Sequence, residues 1–275
     1  MIGGEMVADL RFADDIALLA EQTRGLQELL TRVVETSQKM GMAINVTKTE
    51  NQFLGWGDRK FRVEVDGQQL EQTEDFVYLG GNICTHGGSE RDVERRIGLA
   101  RGIWQALGKI WGSKKMGRPT KVKMYETLVL SALLYNSETW TLKETQKQRL
   151  RVFEMACLRR IEGVTRKDRI RNREIYSRLD IRYDIVSRIQ NRRLRYFGHL
   201  SRMENGRYPK IALNGHVQGK RRRGRQKKRW MDMIKEDCCD MGISIQEAVH
   251  QSWDRERWRN SINERLLRAG ASPRP

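Results

Sequence analysis

At 275 residues and a net charge of +18, with 32% charged and 7% aromatic side chains, the chain can bury a sizeable core and still carry a polar surface. It has no apolar run long enough for a transmembrane helix and no apolar segment after Met1 to act as a signal peptide, and four cysteines, two of them adjacent, make neither a disulfide framework nor a CxxC zinc spacing. The charge is unevenly spread: residues 1–150 hold 21 Lys and Arg against 20 Asp and Glu, whereas residues 151–275 hold 32 against 15, which points to a polyanionic partner for the second half.

In chain order, Leu10-Arg11-Phe12-Ala13-Asp14-Asp15-Ile16-Ala17-Leu18-Leu19 places two adjacent acids between short apolar runs, the pattern of a β-hairpin with the acids at its tip. In isolation the pair fits polar turn residues, an N-cap, or two carboxylates offered to Mg²⁺. Leu26, Leu29, Leu30, Val33, Val34 and Met40 recur at helical spacing and predict an amphipathic helix of about four turns, with Gly41 as its C-cap. Met42 to Val46 alternates like a short strand leading into Lys48-Thr49-Glu50. Phe61, Val63 and Val65 before Asp66-Gly67, with Leu70 after it, predict a second hairpin. Phe76 to Gly80 reads as a further strand. Residues 1–83 are therefore expected to form a small α+β layer, one helix over a sheet.

Ser89 is placed to cap a helix starting at Glu90, whose apolar stripe runs from Val93 to Ile110. A loop from Gly112 to Pro119 and helices over 120–134 and from about 144 onward predict a bundle. Beyond Thr165, Arg dominates. Helices are expected over 173–179, 185–197, 227–241 and 245–267, with a Gly- and Arg-rich linker over 206–224 and a frayed tail. Arg188, Arg192, Arg193 and Arg195 can form either a phosphate-tracking helix face or a solvated one. Between Lys220 and Arg229, eight of ten residues are basic: Lys220, Arg221, Arg222, Arg223, Arg225, Lys227, Lys228 and Arg229. That density suits sequence-independent phosphate contact, and equally a nuclear-import signal or a solvated run. Trp230 beside it is expected to pack on the following helix rather than stack on a base.

The order of these pieces resembles the reverse transcriptases of non-LTR (LINE-type) retrotransposons, from the middle of the palm onward. Phe12-Ala13-Asp14-Asp15 matches the [FY]ADD motif, Gly41 to Asn45 with Lys48-Thr49-Glu50 the motif after it, and Phe76-Val77-Tyr78-Leu79-Gly80 the primer grip. The resemblance extends through Leu133-Leu134-Tyr135 in the thumb to Arg195-Tyr196-Phe197-Gly198-His199 and Lys228-Arg229-Trp230 in the region after it. It implies an α+β fold in three parts: a partial palm over 1–83, a helical thumb over 84–164 and a basic nucleic-acid-binding region over 165–275. It further implies that Asp14 and Asp15 hold Mg²⁺, that Lys48 assists phosphoryl transfer, and that Phe76, Tyr78, Leu79 and Gly80 grip the primer. The expected partners are an RNA template and a DNA target or primer, in the nucleus or in a cytoplasmic ribonucleoprotein, with no membrane. The family's fingers and the strand bearing its first catalytic aspartate precede [FY]ADD, and only eleven residues precede Phe12 here. The expectation is an RNA-directed DNA polymerase fragment that does not polymerise by itself, or a nucleic-acid-binding protein derived from the element. An uncovered strand edge, and self-association through it, are expected where that strand would pair.

Overall fold

The computed structural model describes residues 7–55, 59–215 and 227–271, with side chains to residue 265. They divide into two compact units, 7–91 with 206–215 and 92–205 with 227–271. The boundary expected at 164/165 does not separate them.

The first unit begins with the acidic hairpin, β1 (Asp9–Phe12) and β2 (Asp15–Leu18), in antiparallel register with Phe12 opposite Asp15. Helix α1 (Thr23–Lys39) follows and stops as its sequence predicts. Gly41, at φ 73°, lets its own N–H reach the Gln38 carbonyl and the Met42 N–H reach that of Ser37, so the last turn's orphan acceptors are satisfied. Residues 42–45 are not the expected strand. Asn45 instead caps a 3₁₀ turn, Val46–Lys48, by accepting the Lys48 N–H at 3.2 Å, a local bond that competes with strand pairing. Then come β3 (Glu50–Gln52), β4 (Glu64–Val65), β5 (Gln68–Gln69), β6 (Glu71–Thr73), β7 (Asp75–Tyr78) and β8 (Gly81–Cys84). The Asp66-Gly67 turn between β4 and β5 has φ of 50° and 77°, the positive pair a two-residue hairpin needs.

The single sheet expected over 1–83 is instead four separate pairs: β1–β2, β4–β5 and β7–β8 antiparallel, and β3–β6 parallel. Side chains join them where ladders do not. Gln27 of α1 donates to the Glu64 carbonyl and accepts its N–H, both at 2.9 Å. The Gln52 amide reaches the carbonyls of Glu74 and Ile83 at 2.7 and 2.8 Å. The core beneath is small, centred on Leu30, Val63, Val65 and Leu70. Phe12, Ile16, Val77, Leu79 and Ile83 stay exposed on the hairpins, and the edges of these short pairs carry no further strand among the described residues.

The second unit is helical: α2 (Glu90–Ala106), α3 (Gly108–Gly112), α4 (Arg118–Met124), a π turn (Tyr125–Val129), α5 (Leu130–Leu133), α6 (Glu144–Glu162), α7 (Asn172–Arg178) and α8 (Ile185–Ser201). α9 (Tyr208–Asn214), within the expected linker, counts with the first unit, and α10 (Trp230–Cys239), α11 (Ile245–Trp253) and α12 (Arg255–Ala271) complete the second. The stripe through Ile110 bends between α2 and α3, and the helix expected over 245–267 is broken at Asp254. One apolar core runs from Val93 to Ile189, so the expected thumb and the start of the expected C-terminal region bury the same side chains. Trp104 stacks on Trp111 at 4.1 Å within it. A second cluster joins α8 to α10, α11 and α12 around Phe197, Ile234 and Trp258. Gly198 is required there, because a Cβ would lie 2.3 Å from the Trp258 ring.

Buried polar groups tie the helices together. The Trp140 indole donates to Asp92 at 2.6 Å, and Arg193 donates to the Trp140 carbonyl at 3.1 Å. The Arg193 guanidinium, 1% exposed, grips Asp237 through Nε at 2.7 Å and Nη2 at 2.9 Å. Gln190 donates to Asp237 at 3.0 Å and accepts from Arg265 at 2.7 Å. Glu154, also buried, accepts the Tyr176 hydroxyl at 2.6 Å and the Ile185 N–H at 3.0 Å, joining α6 to α7 and to the start of α8.

Two predictions follow from these groups. Arg193→Leu strands a buried carboxylate and is expected to cost about 3–5 kcal/mol in urea denaturation, whereas the double variant with Asp237→Leu recovers much of that loss. Burial pushes the Glu154 carboxyl up from 4.5 to about 7, against the lowering pull of the Tyr176 and Ile185 hydrogen bonds. The native state therefore holds this proton more tightly than the unfolded chain. Its contribution to stability is complete below pH 4.5 and is lost as pH rises through about 7. Relative to Glu154→Gln, the wild type should lose roughly 3 kcal/mol across that window; parallel pH profiles of the two proteins would contradict this.

Candidate functional site

The acidic hairpin is closed by the two-residue turn Ala13-Asp14, with Ala13 at φ 52°, a left-handed conformation that alanine adopts at a cost. Leu19 extends the pairing by donating to the Ala8 carbonyl at 2.8 Å. Leu18 packs on the small core, which anchors the base of the hairpin and leaves its tip in solvent. Asp14 and Asp15 are both exposed, one in the turn and one at the start of β2. Phe12, directly opposite Asp15, is 64% exposed.

The second hairpin, β7–β8, turns at Leu79-Gly80 with φ of 47° and 75°. Phe76 and Tyr78 are therefore strand residues, while Leu79 and Gly80 form the turn itself. Phe76 and Tyr78 point to the same face and stack with ring centroids 6.4 Å apart. The Tyr78 hydroxyl donates to the Leu10 carbonyl at 3.2 Å. This bond, spanning 68 residues, holds the Tyr-Leu-Gly hairpin beside the acidic one.

Lys48 ends the Asn45-capped turn and is exposed. No hydrogen bond or ion pair joins it to Asp14 or Asp15 among the described residues. It leads into β3, whose Gln52 holds β8 through the Ile83 carbonyl, so all three sequence motifs belong to one connected set of short pairs. As a donor set, Asp14 and Asp15 suit a single hard cation whose other ligands are water and phosphate. A pair of ions needs a further bridging carboxylate, and no group of three or more potential ligands gathers among the described residues.

The basic candidates divide. Lys220, Arg221, Arg222, Arg223 and Arg225 lie outside the described residues. Lys227 and Arg229 are exposed just before α10, and Lys228 pairs with Glu236 at 2.5 Å. Trp230 is the first residue of α10; its indole donates to the Glu138 carbonyl at 2.8 Å and meets Tyr196 of α8 edge-on, so it packs, though on α8 rather than on the helix that follows it. The α8 arginines do not form a free basic face. Arg188 pairs with Glu126 at 2.5 Å, Arg192 with Glu138 at 3.4 Å, and Arg193 is buried on Asp237; only Arg195 stays exposed without a partner among the described residues. Sequence reasoning could not separate them, since each partner lies 44 or more residues away.

Tyr78→Phe removes the bond to Leu10 and keeps the ring. Faster amide exchange in residues 9–12, with α6 amides unchanged, is the expected outcome; equal exchange in both proteins would show that the bond does not hold the hairpins together.

No family model matches the chain, and no solved structure matches it. An uncharacterized transposon-derived protein of Caenorhabditis elegans is 28% identical over 289 residues, spanning 95% of this chain and 99% of that protein. The similarity supports a transposon origin for this chain.

Proposed function

We propose that the chain is a nucleic-acid-binding protein descended from the reverse transcriptase of a non-LTR retrotransposon, keeping palm hairpins, thumb and a basic C-terminal region. The observation that carries this reading is the Tyr78–Leu10 bond. It brings together the two motifs, FADD and YLG, that the resemblance assigns to the metal site and to the primer's 3′ end. Transposon origin agrees with it. In such a site Mg²⁺ supplies charge neutralisation for transferring phosphates. Asp14 and Asp15 would hold it, Tyr78 would fix the distance between the two hairpins, and Lys48 would face phosphates only from the neighbouring turn. The carboxylates present fit one ion rather than two, so polymerisation is not proposed for this chain by itself, and binding is assigned to its basic C-terminal region.

The purified chain is expected to bind an RNA–DNA hybrid with an affinity that falls steeply as salt rises. It should not extend a DNA primer on an RNA template with Mg²⁺ and all four nucleotides. Asp14→Asn with Asp15→Asn should leave hybrid affinity within about twofold of wild type, since neither residue neutralises phosphate. Extension that these substitutions abolish would establish the enzymatic reading in place of the proposed one.

A further inference from the structure

The end of the second unit where α6 stops holds a different population of arginines from α8. Helix α6 ends at Gly163, at φ 82°, and the chain turns back through residues 164–171 into α7. Residues 159–173 contain seven Lys or Arg and two acids, Glu162 and Asp168. Both acids are committed. Asp168 closes the turn by accepting the Thr165 N–H at 2.6 Å and its hydroxyl at 2.9 Å. Glu162, its side chain 2% exposed, takes Arg118 at 3.1 Å and Arg178 at 3.7 Å. Arg159 is committed too, donating to the Ile170 carbonyl at 3.2 Å and to Asn172 at 2.6 Å, so it fastens the connector to α6.

Arg160 lies exposed on the last turn of α6, and beyond it Arg166, Lys167, Arg169, Arg171 and Arg173 remain. All five are exposed, and among the described residues none of their side chains is bonded to an acid or a carbonyl. The Arg118–Glu162 pair brings the loop carrying exposed Lys114 and Lys115 to the same end of the unit.

We propose that this end, centred on residues 166–173, is a phosphodiester-binding surface, a site distinct from the basic run at 220–229; it rests on the nucleic-acid reading above and says where the backbone is gripped. Three features support it. Four of the five free cations are arginines, whose planar forks match phosphate oxygens. The connector is held in place by Asp168, Arg159 and Glu162, so little ordering remains to be done when a backbone docks. The apolar residues of the segment, Ile170, Ile175, Leu179 and Ile181 among them, face inward, so no apolar face is offered to a bilayer.

The test compares wild type with a variant carrying Arg166→Gln, Lys167→Gln, Arg171→Gln and Arg173→Gln, by fluorescence anisotropy on a labelled RNA–DNA hybrid over a range of salt. Among the described residues none of these side chains bonds within the fold, so circular dichroism and thermal unfolding should be unchanged. At about 100 mM salt the affinity should drop at least about tenfold, and the slope of log affinity against log salt should flatten by about 3 to 4. The same positions changed to Lys throughout should keep most of that slope, since charge is retained. A neutralised variant that binds like wild type, with the same slope, overturns this site while leaving nucleic-acid binding intact. A wild type that fails to bind the hybrid at low salt overturns both readings. Tighter binding to phosphatidylserine vesicles than to the hybrid at equal salt would assign the surface to a membrane instead.

Discussion

The buried Arg193–Asp237 pair is the interaction on which the second unit depends. Taking a guanidinium and a carboxylate out of water costs several kcal/mol for each ion, and only close, bidentate geometry with further hydrogen bonds offsets it. That geometry is present: two bonds to Asp237, a third to the Trp140 carbonyl, and Gln190 sharing the Asp237 Oδ1 that accepts from Arg193 Nη2. Trp140 in turn is fixed by Asp92, and Gln190 by Arg265. One polar chain thus runs from residue 92 to residue 265, through α2, α8, α10 and α12. A polar network of this kind tolerates few alternative packings, because a shift of any helix leaves a charge stranded. It is also why the helices before residue 165 and those after it form one body rather than two.

The first unit is built on a different rule. Its strands are too short, and its core too small, for a continuous sheet, and side-chain amides do the joining that ladders do elsewhere. Two-stranded pairs of this length are marginal in isolation. Their apolar residues Phe12, Ile16, Val77, Leu79 and Ile83 remain in solvent, beside the acidic tip and the tyrosine that anchors it. The turns concentrate backbone strain as well: Ala13 and Leu79, both non-glycine residues at positive φ, sit at the tips of the two hairpins that the function would use.

Charge is then sorted by pairing. The chain's excess of basic residues suggests a polyanion partner, yet an arginine contributes to such a surface only if no acid of its own fold neutralises it. On α8 three arginines are neutralised by Glu126, Glu138 and Asp237. At the end of α6 the two acids are drawn into a turn and a buried bridge, and the five cations between residues 166 and 173 are left over.

Much of the local structure was legible from residue order: the acidic hairpin, the Asp66-Gly67 turn, the Gly41 stop of α1, the starts of α2 and α6, and the extent of α7 to within a residue. Each of these is decided by side-chain periodicity or by a turn residue within a few positions. The short strand expected over 42–46 failed for an equally local reason, the Asn45 cap, which alternation of apolar residues does not register. What the tertiary structure alone decided is of another kind. Arg193 and Arg171 look alike in a basic sequence, but one is buried on an aspartate 44 residues away and the other is free in solvent. Periodicity reports which side of a helix is apolar; it carries no information about which distant carboxylate arrives opposite a given guanidinium. That pairing exists only once the helices have packed, and it determines which of the chain's many positive charges remain free to bind a partner.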